Sequence, residues 1–397
     1  MSTPLTFSLA DQAFVQAHLN DDATKLLLKL PPAQRWLAEQ IITRQKVKNK
    51  LPTWCHNPAV LFPVSLSVEQ SSSEITAQHK ASLVSGRLLI DATGGMGVDA
   101  FYMAKRFEKV IYIEQKPELV QLACYNFQQL GATNIDCVCG EAMQFLNDFT
   151  DPIDWLYLDP ARRSVTQKKV HQLADCEPDV VKNLKLLFQK TNNILIKTSP
   201  LLDIKQAIED LQLVNKICVV AVENECKEVL FKLKKDKTDL VEIGRNIDIQ
   251  TVNYAKNQTQ FFDFDFQSEQ QTVATFSNPL KYLYEPNVAV LKAGAFRCLG
   301  NRFELMKISP HSHLYTSTEL RADFSGRIFE IIATVKVNSQ DIEPYLTDRK
   351  ANLTVRNFPI GVEELRKKLK LKDGGNVYLF ATTLHNNDKQ IVICRKL

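Results

Sequence analysis

No stretch of this chain approaches the roughly 20 consecutive apolar residues of a membrane-spanning helix. Met1 is followed by neither a basic region nor an apolar core, the pattern a secretory leader requires, so a cytoplasmic location is expected. The nine cysteines, at 55, 124, 137, 139, 176, 218, 226, 298 and 394, form an odd, scattered set without a C-x-x-C pair. They read as reduced structural thiols, and no metal is expected. His311 and His313, two residues apart, lack a convergent cysteine or carboxylate and read as surface-strand histidines. Internal repeats and long low-complexity segments are absent too, which leaves an ordinary globular chain, 45% apolar and 24% charged. At 397 residues it is long for one domain, and two to four units are the natural expectation.

What is present centres on Leu88–Glu114. An apolar run, Leu88-Leu89-Ile90, ends on Asp91; Gly94, Gly95 and Gly97 follow, then a helix from about Val98 and a second apolar run, Val110 to Ile113, closed by Glu114. Strand, glycine turn, helix, strand, acid is a nucleotide-cradling unit. Glycines let the backbone approach a ligand, the helix start offers free N–H groups, and the acid can hold two ribose hydroxyls.

Before it, residues 1 to about 60 read as helical, with a helix capped near Asn20-Asp21, a second from Ala33 to about Lys48, and then Pro52, Pro58 and Pro63. The basic end of the second helix, Arg44 to Lys50, is open to two readings, helix-dipole complement or nucleic-acid contact. Ser73 is a plausible N-cap for a helix over 74–84. After Glu114 strands and helices alternate: helix 117–130, strand 134–139 followed by Glu141, strand 155–158 leading into Asp159-Pro160-Ala161-Arg162-Arg163, helix 178–190, strand 193–197, helix 203–213. Two strands, 217–222 and 228–233, then come with no helix between them. That order implies a parallel sheet carrying one antiparallel hairpin at its edge. Alternating Phe261, Phe262, Phe264 and Phe266 suggest strands or an edge extension. The last 75 residues read as a separate small α+β domain.

Asp91-Ala-Thr-Gly-Gly-Met-Gly97 together with Glu114, Glu141 and Asp159-Pro160, over about 80–233, resembles the class I S-adenosylmethionine-dependent methyltransferases, as does the final strand pair. The resemblance implies an α/β, Rossmann-like, seven-stranded sheet with an N-terminal helical region and small α+β C-terminal domains. It also implies S-adenosylmethionine as cofactor, with Asp91, Gly94, Gly95 and Gly97 packing on its methionine part, Glu114 on the ribose and Glu141 at the adenine; Gln70 and Asp159 join this set. Near-complete coverage comes from Glu69-Gln-Ser-Ser-Ser-Glu74, Asp159-Pro-Ala-Arg-Arg163, Leu314-Tyr-Thr-Ser317 and Val355-Arg-Asn-Phe-Pro359, which resemble the bacterial methyltransferases ending in a ferredoxin-like piece and a THUMP-like, RNA-binding module. The expected division is 1–75 helical region, 76–235 methyltransferase, 236–320 linking and ferredoxin-like piece, 321–397 THUMP-like domain.

Substrate class follows from charge and from the acceptor end of the site. From Arg349 onward there are eleven Lys and Arg against four Asp and Glu, +7, so the remainder carries −3 of the net +4. Such a basic appendage suits RNA as partner, with Arg366, Lys367 and Lys368 on its helix and Arg162 and Arg163 at the site mouth as substrate contacts. Asp159-Pro160 lacks the second proline and aromatic residue with which amino-group methyltransferases clamp a base. The resemblance of D-P-A-R to 5-methyluridine enzymes fails because Lys197-Thr-Ser-Pro200 stands where their cysteine nucleophile belongs. Lys80, Asp159, Lys197 and Glu228 (or Glu225) match the topological positions of the Lys-Asp-Lys-Glu set of ribose 2′-O methyltransferases. A methyltransferase of RNA is thus the expectation; an enzyme acting on a small molecule or protein, and a silent RNA-binding protein on the same fold, stay open.

Overall fold

The computed structural model describes residues 7–63, 65–162, 172–235 and 246–397. It comprises two compact units, Met1–Val214 with Leu230–Glu242 and Asn215–Val229 with Ile243–Leu397.

Six helices lead the chain: α1 Leu9–Ala17, α2 Ala23–Lys29, α3 Arg35–Val47, α4 Pro52–His56, α5 Ser65–Gln70 and α6 Glu74–Ser82. Their caps are legible in sequence: Ser8 and Asp11 form a capping box, Asp22 caps α2, and Ser73 accepts from Thr76 N at the start of α6. Val15, Leu37 and Ile41 pack with Leu61 and with Leu122 of a later helix. The irregular stretch between them is held by side chains acting as strand partners. Gln40 bonds both the N–H and C=O of Phe62 (2.9 Å each), and Asn126 bonds both those of Leu61 (2.9 and 2.7 Å).

Arg44, 2% exposed, donates to the carbonyls of Cys55 (3.0 Å), Pro58 (3.1 Å) and Val60 (2.6 Å). Lys50 Nζ donates to the carbonyls of Val68 (2.9 Å) and Glu69 (2.7 Å). For these two cations the partners are main-chain carbonyls of the neighbouring irregular chain, in place of a helix dipole or a nucleic acid.

The strands of the first sheet are β1 Gly86–Asp91, β2 Phe107–Glu114, β3 Ile135–Cys139, β4 Trp155–Leu158, β5 Asn193–Thr198, β6 Val214–Val222, β7 Glu225–Lys234, β8 Asp248–Tyr254 and β9 Thr259–Asp265. Their order is β9-β8-β6-β7-β5-β4-β1-β2-β3. Strands β1 to β5 pair in parallel. Helices α7 Val98–Met103, α8 Pro117–Gln129, α9 Ala142–Asp148, α10 Val180–Lys190 and α11 Ile204–Leu211 connect them. β1, β2 and β4 are nearly uninterrupted apolar runs because a parallel sheet is covered on both faces.

Glu223 and Asn224, both at positive φ, make the two-residue turn between β6 and β7, which allows only an antiparallel hairpin. The expected seven strands are therefore present, but the hairpin is not the edge. β8 adds in parallel to β6, and β9 closes the sheet antiparallel to β8. The phenylalanine run supplies that closing strand: Phe262 is buried, Phe264 packs beside it, Phe261 is 55% exposed, and Phe266 already begins a helix. Among the cysteines, Cys124 of α8 and Cys137 of β3 are paired, Cα atoms 6.3 Å apart, where unpaired thiols were expected.

The second sheet uses β10 Tyr282–Pro286, β11 Met306–Lys307, β12 Tyr315–Ser317, β13 Gly326–Lys336, β14 Asn352–Arg356, β15 Val377–Thr383 and β16 Lys389–Lys396, ordered β11-β12-β10-β13-β16-β15-β14. Only β14 and β15 run parallel. Leu353, Leu365, Leu379 and Ile393 pack the helix Val362–Lys368 against it. His313 stacks on Phe296 with centroids 3.7 Å apart, and among the described residues no group of three or more His, Cys, Asp or Glu is placed to hold a metal.

Arg44→Ala leaves the buried carbonyl of Val60 and the part-buried ones of Cys55 and Pro58 without their donor, and a loss of about 3 kcal/mol is expected. Thermal or urea unfolding should show a large drop for this variant and a smaller one for Arg44→Lys; a change within about 0.5 kcal/mol for Ala would refute the anchoring role.

Candidate active site

The carboxyl ends of β1, β2, β4 and β5 bring the expected residues together in the first unit. The glycine turn is shaped by what lies under it. A Cβ on Gly94 would sit 2.2 Å from the Tyr112 ring, and one on Gly97, at φ +84°, 2.5 Å from Phe127. Tyr112 donates its hydroxyl to Gly95 O (2.5 Å) and packs edge-on to Phe127. These two glycines thus serve packing within the protein. Around Gly95 the space stays open, the nearest atom to a Cβ there being Thr93 O at 3.9 Å. Glu114 ties β2 to this turn: Oε2 accepts from Gly95 N (2.9 Å) and Oε1 from Lys116 N (3.0 Å). Each oxygen keeps a further lone pair.

Asp91 is 1% exposed. Its Oδ1 accepts from Thr93 N (3.0 Å), while Oδ2 has no hydrogen-bond partner among the described residues. Burial, reinforced by the negative charges of Asp99, Asp159 and Glu114, holds its carboxyl well above the usual range against the opposing Thr93 N–H. Glu141 serves its own helix as N-cap of α9, accepting from Met143 N (2.9 Å) and Gln144 N (2.6 Å).

Two ion pairs lie at the other end. Lys197 Nζ bonds Asp159 Oδ2, with the two side chains 14% and 34% exposed. Lys80, fully buried, faces Asp99 Oδ1 at 3.2 Å and Ser72 Oγ at 3.1 Å. Asp99 Oδ2 accepts from Ser72 Oγ (2.8 Å) and Tyr157 OH (2.7 Å). Burial pushes the Asp99 carboxyl up, but Lys80, Lys197 and these two hydroxyls outweigh it and hold it below the ordinary value. Lys197 thereby links the pairs into an alternating Lys80–Asp99–Lys197–Asp159 row.

Sequence reading grouped Lys80, Asp159, Lys197 and Glu228 (or Glu225) as one set; in the structure Lys80 pairs with Asp99. Asp99, Tyr157 and Ser72 were missed. The one available signal was an acid one residue into α7, directly after the turn. Ser72 comes from the Glu69–Glu74 motif, while Gln70, in that same motif, is exposed at the end of α5. Pro160 is buried, and its chain continues into a two-residue ladder, Ala161–Arg162 with Cys176–Glu177. Arg163 lies outside the described residues, as does the side chain of Arg162. Glu228 is 2% exposed on the part of β7 that belongs to the second unit, and Glu225 pairs with Lys227 at 2.7 Å. Arg366 pairs with Asp373 (2.9 Å), whereas Lys367 and Lys368 are exposed.

Known proteins match both units. Residues 282–324 match a ferredoxin-like domain model and 326–396 a THUMP domain-like model. The crystal structure of a "putative methyltransferase" from Porphyromonas gingivalis is 30% identical over 98% of each chain, with a TM-score of 0.87. An uncharacterized S-adenosylmethionine-dependent methyltransferase of Mycobacterium tuberculosis is 21% identical over 350 residues, 85% of this chain and 89% of that one.

Asp91 yields a pH prediction. A carboxyl whose folded pKa lies above its unfolded value binds a proton in the native state that the unfolded chain has released, so its contribution worsens as pH rises from about 4 toward neutrality. Asp91→Asn should therefore raise the melting temperature at pH 7, and its advantage over the parent should shrink as the pH is lowered toward 4. An advantage independent of pH would show that the carboxyl is ionised in both states.

Proposed function

The chain belongs to the S-adenosylmethionine-dependent methyltransferase family of that Porphyromonas gingivalis structure, and from this premise we propose that its acceptor is RNA. What carries the reading is one chain holding both a methyl-transfer core and a basic THUMP-like domain. The +7 of the segment from Arg349 suits a phosphate backbone, for which the charge of the remaining chain offers no equivalent.

The residues at the strand ends fit the cofactor. Asp91 has a buried oxygen without a partner, Glu114 has lone pairs for ribose hydroxyls, and the open space around Gly95 admits a ligand against the main chain. Gly94 and Gly97 act by shaping that turn, and Glu141 and Gln70 border it in our assignment. When bound, S-adenosylmethionine supplies an electrophilic methyl on a sulfonium, so the protein's task is largely alignment and proton handling.

Asp159 is suited to the second task. Its carboxylate is part exposed, and Lys197 orients it while acting as donor. It can accept the hydrogen of an acceptor N–H or O–H as the methyl is transferred. Lys80 and Asp99 act at one remove, fixing Lys197 by charge. Arg162 and Arg163 follow Asp159 directly and are assigned to substrate phosphate, as are Lys367 and Lys368.

Asp159→Asn should lower turnover at least about 100-fold while leaving S-adenosylhomocysteine affinity within a few-fold, read by single-turnover assay and calorimetry. Lys197→Ala with full activity would remove the pair from the mechanism. The decisive experiment incubates the purified protein with labelled S-adenosylmethionine and total RNA from a deletion strain and maps the modified nucleoside. Turnover should also fall with added salt. Label in protein or small molecules but none in RNA overturns the proposal.

A further inference from the structure

The cations of the THUMP-like domain are sorted by type. Four of its five arginines are occupied: Arg327 and Arg356 both bond the buried Glu285, Arg349 pairs with Glu343, and Arg366 with Asp373, while Arg395 lies exposed at the end of β16. Lys336, Lys368 and Lys389 make no ion pair among the described residues, and all three are exposed. They meet on one cleft of about 530 Å3.

Three separate elements bring them there. Lys336 ends β13, and its cross-strand partner is Gln390, next to Lys389 at the start of β16. Lys368 ends the helix Val362–Lys368. Between β14 and that helix, Phe358, Pro359 and Ile360 form an apolar wall. The cleft's only lining acid is Asp388, which already accepts from Asn386 Nδ2 at 2.7 Å.

A cleft with one aromatic wall and three unpaired ammonium groups has the two elements of a single-stranded nucleic-acid site. Bases stack on aromatic rings whatever their identity, and lysines follow the phosphates. The volume lies in the roughly 300–1,000 Å3 range that holds one small-molecule-sized group. A base paired in a duplex has its faces covered by its neighbours and cannot offer one to Phe358.

We infer that this cleft binds a single-stranded RNA segment, one unstacked base against Phe358 and Pro359 and its flanking phosphates on Lys336, Lys368 and Lys389. The inference rests on the RNA reading above and deepens it. It names a strand end or loop, rather than a helix, as the part of the RNA this domain holds.

The test measures binding of a fluorescein-labelled hexauridylate and of a blunt RNA duplex to the full chain by anisotropy across a salt series. The parent should prefer the single strand. Replacing the three lysines with glutamine should weaken hexauridylate binding at least tenfold at low salt and flatten the salt slope by about two, as three lost phosphate contacts on a single strand require. The matching triple arginine variant should bind like the parent. Phe358→Leu should lose about tenfold with the salt slope unchanged. Calorimetry with S-adenosylhomocysteine checks that each variant is folded.

Preference for the duplex, or glutamine and leucine variants that bind like the parent, would overturn the cleft assignment. Label transfer to total RNA separates the two readings. RNA methylation with an indifferent cleft leaves the acceptor reading standing alone. Cleft-dependent binding without RNA methylation leaves the cleft standing and removes RNA as acceptor.

Discussion

Asp99 is the group on which the ion pairs at the strand ends depend. A carboxylate so nearly enclosed is tolerated only because a fully buried ammonium and two hydroxyls meet it. Removing one partner of such a pair costs about 3–5 kcal/mol, because the other charge is left buried and alone. The arrangement therefore locks three segments to each other: Ser72 and Lys80 before and on α6, Asp99 on α7 and Tyr157 on β4. That lock sets where Lys197 and Asp159 stand, one row further out.

A second constraint sits under the glycine turn. Tyr112 fills the space where a side chain at position 94 would go and bonds the turn's own carbonyl, and Glu114, two residues along the same strand, bonds its N–H. One strand thus fixes the turn from below and at its rim. The glycine pattern is commonly read as room for a ligand. Here Gly94 and Gly97 are required by aromatic neighbours, and of the three turn glycines only Gly95 has open space around it.

The two ends of the chain use charge differently. In the N-terminal region Arg44 and Lys50 bond main-chain carbonyls, and in the C-terminal domain Arg327, Arg349, Arg356 and Arg366 pair with carboxylates. Arginine's planar fork suits such fixed pairing, and lysine's compact ammonium on a flexible stem is left for partners that vary in position. Counting charge along the sequence located the basic domain, but could not say which charges were already spent.

By itself the sequence determined the order of strands and helices in the first unit, since a covered parallel sheet demands uninterrupted apolar runs and α6, α9, α10 and α11 each follow directly on a capping side chain, Ser73, Glu141, Asp179 and Asp203. It determined that Asp91, the glycines and Glu114 meet, because they lie within 27 consecutive residues of one βαβ unit. Only the tertiary structure decided that Lys80 belongs to Asp99, that β8 and β9 extend the sheet past the hairpin, and that Lys336, Lys368 and Lys389 share a cleft. Those are matters of distance between residues far apart in the chain. No local periodicity or spacing encodes which of several compatible partners a buried charge will meet.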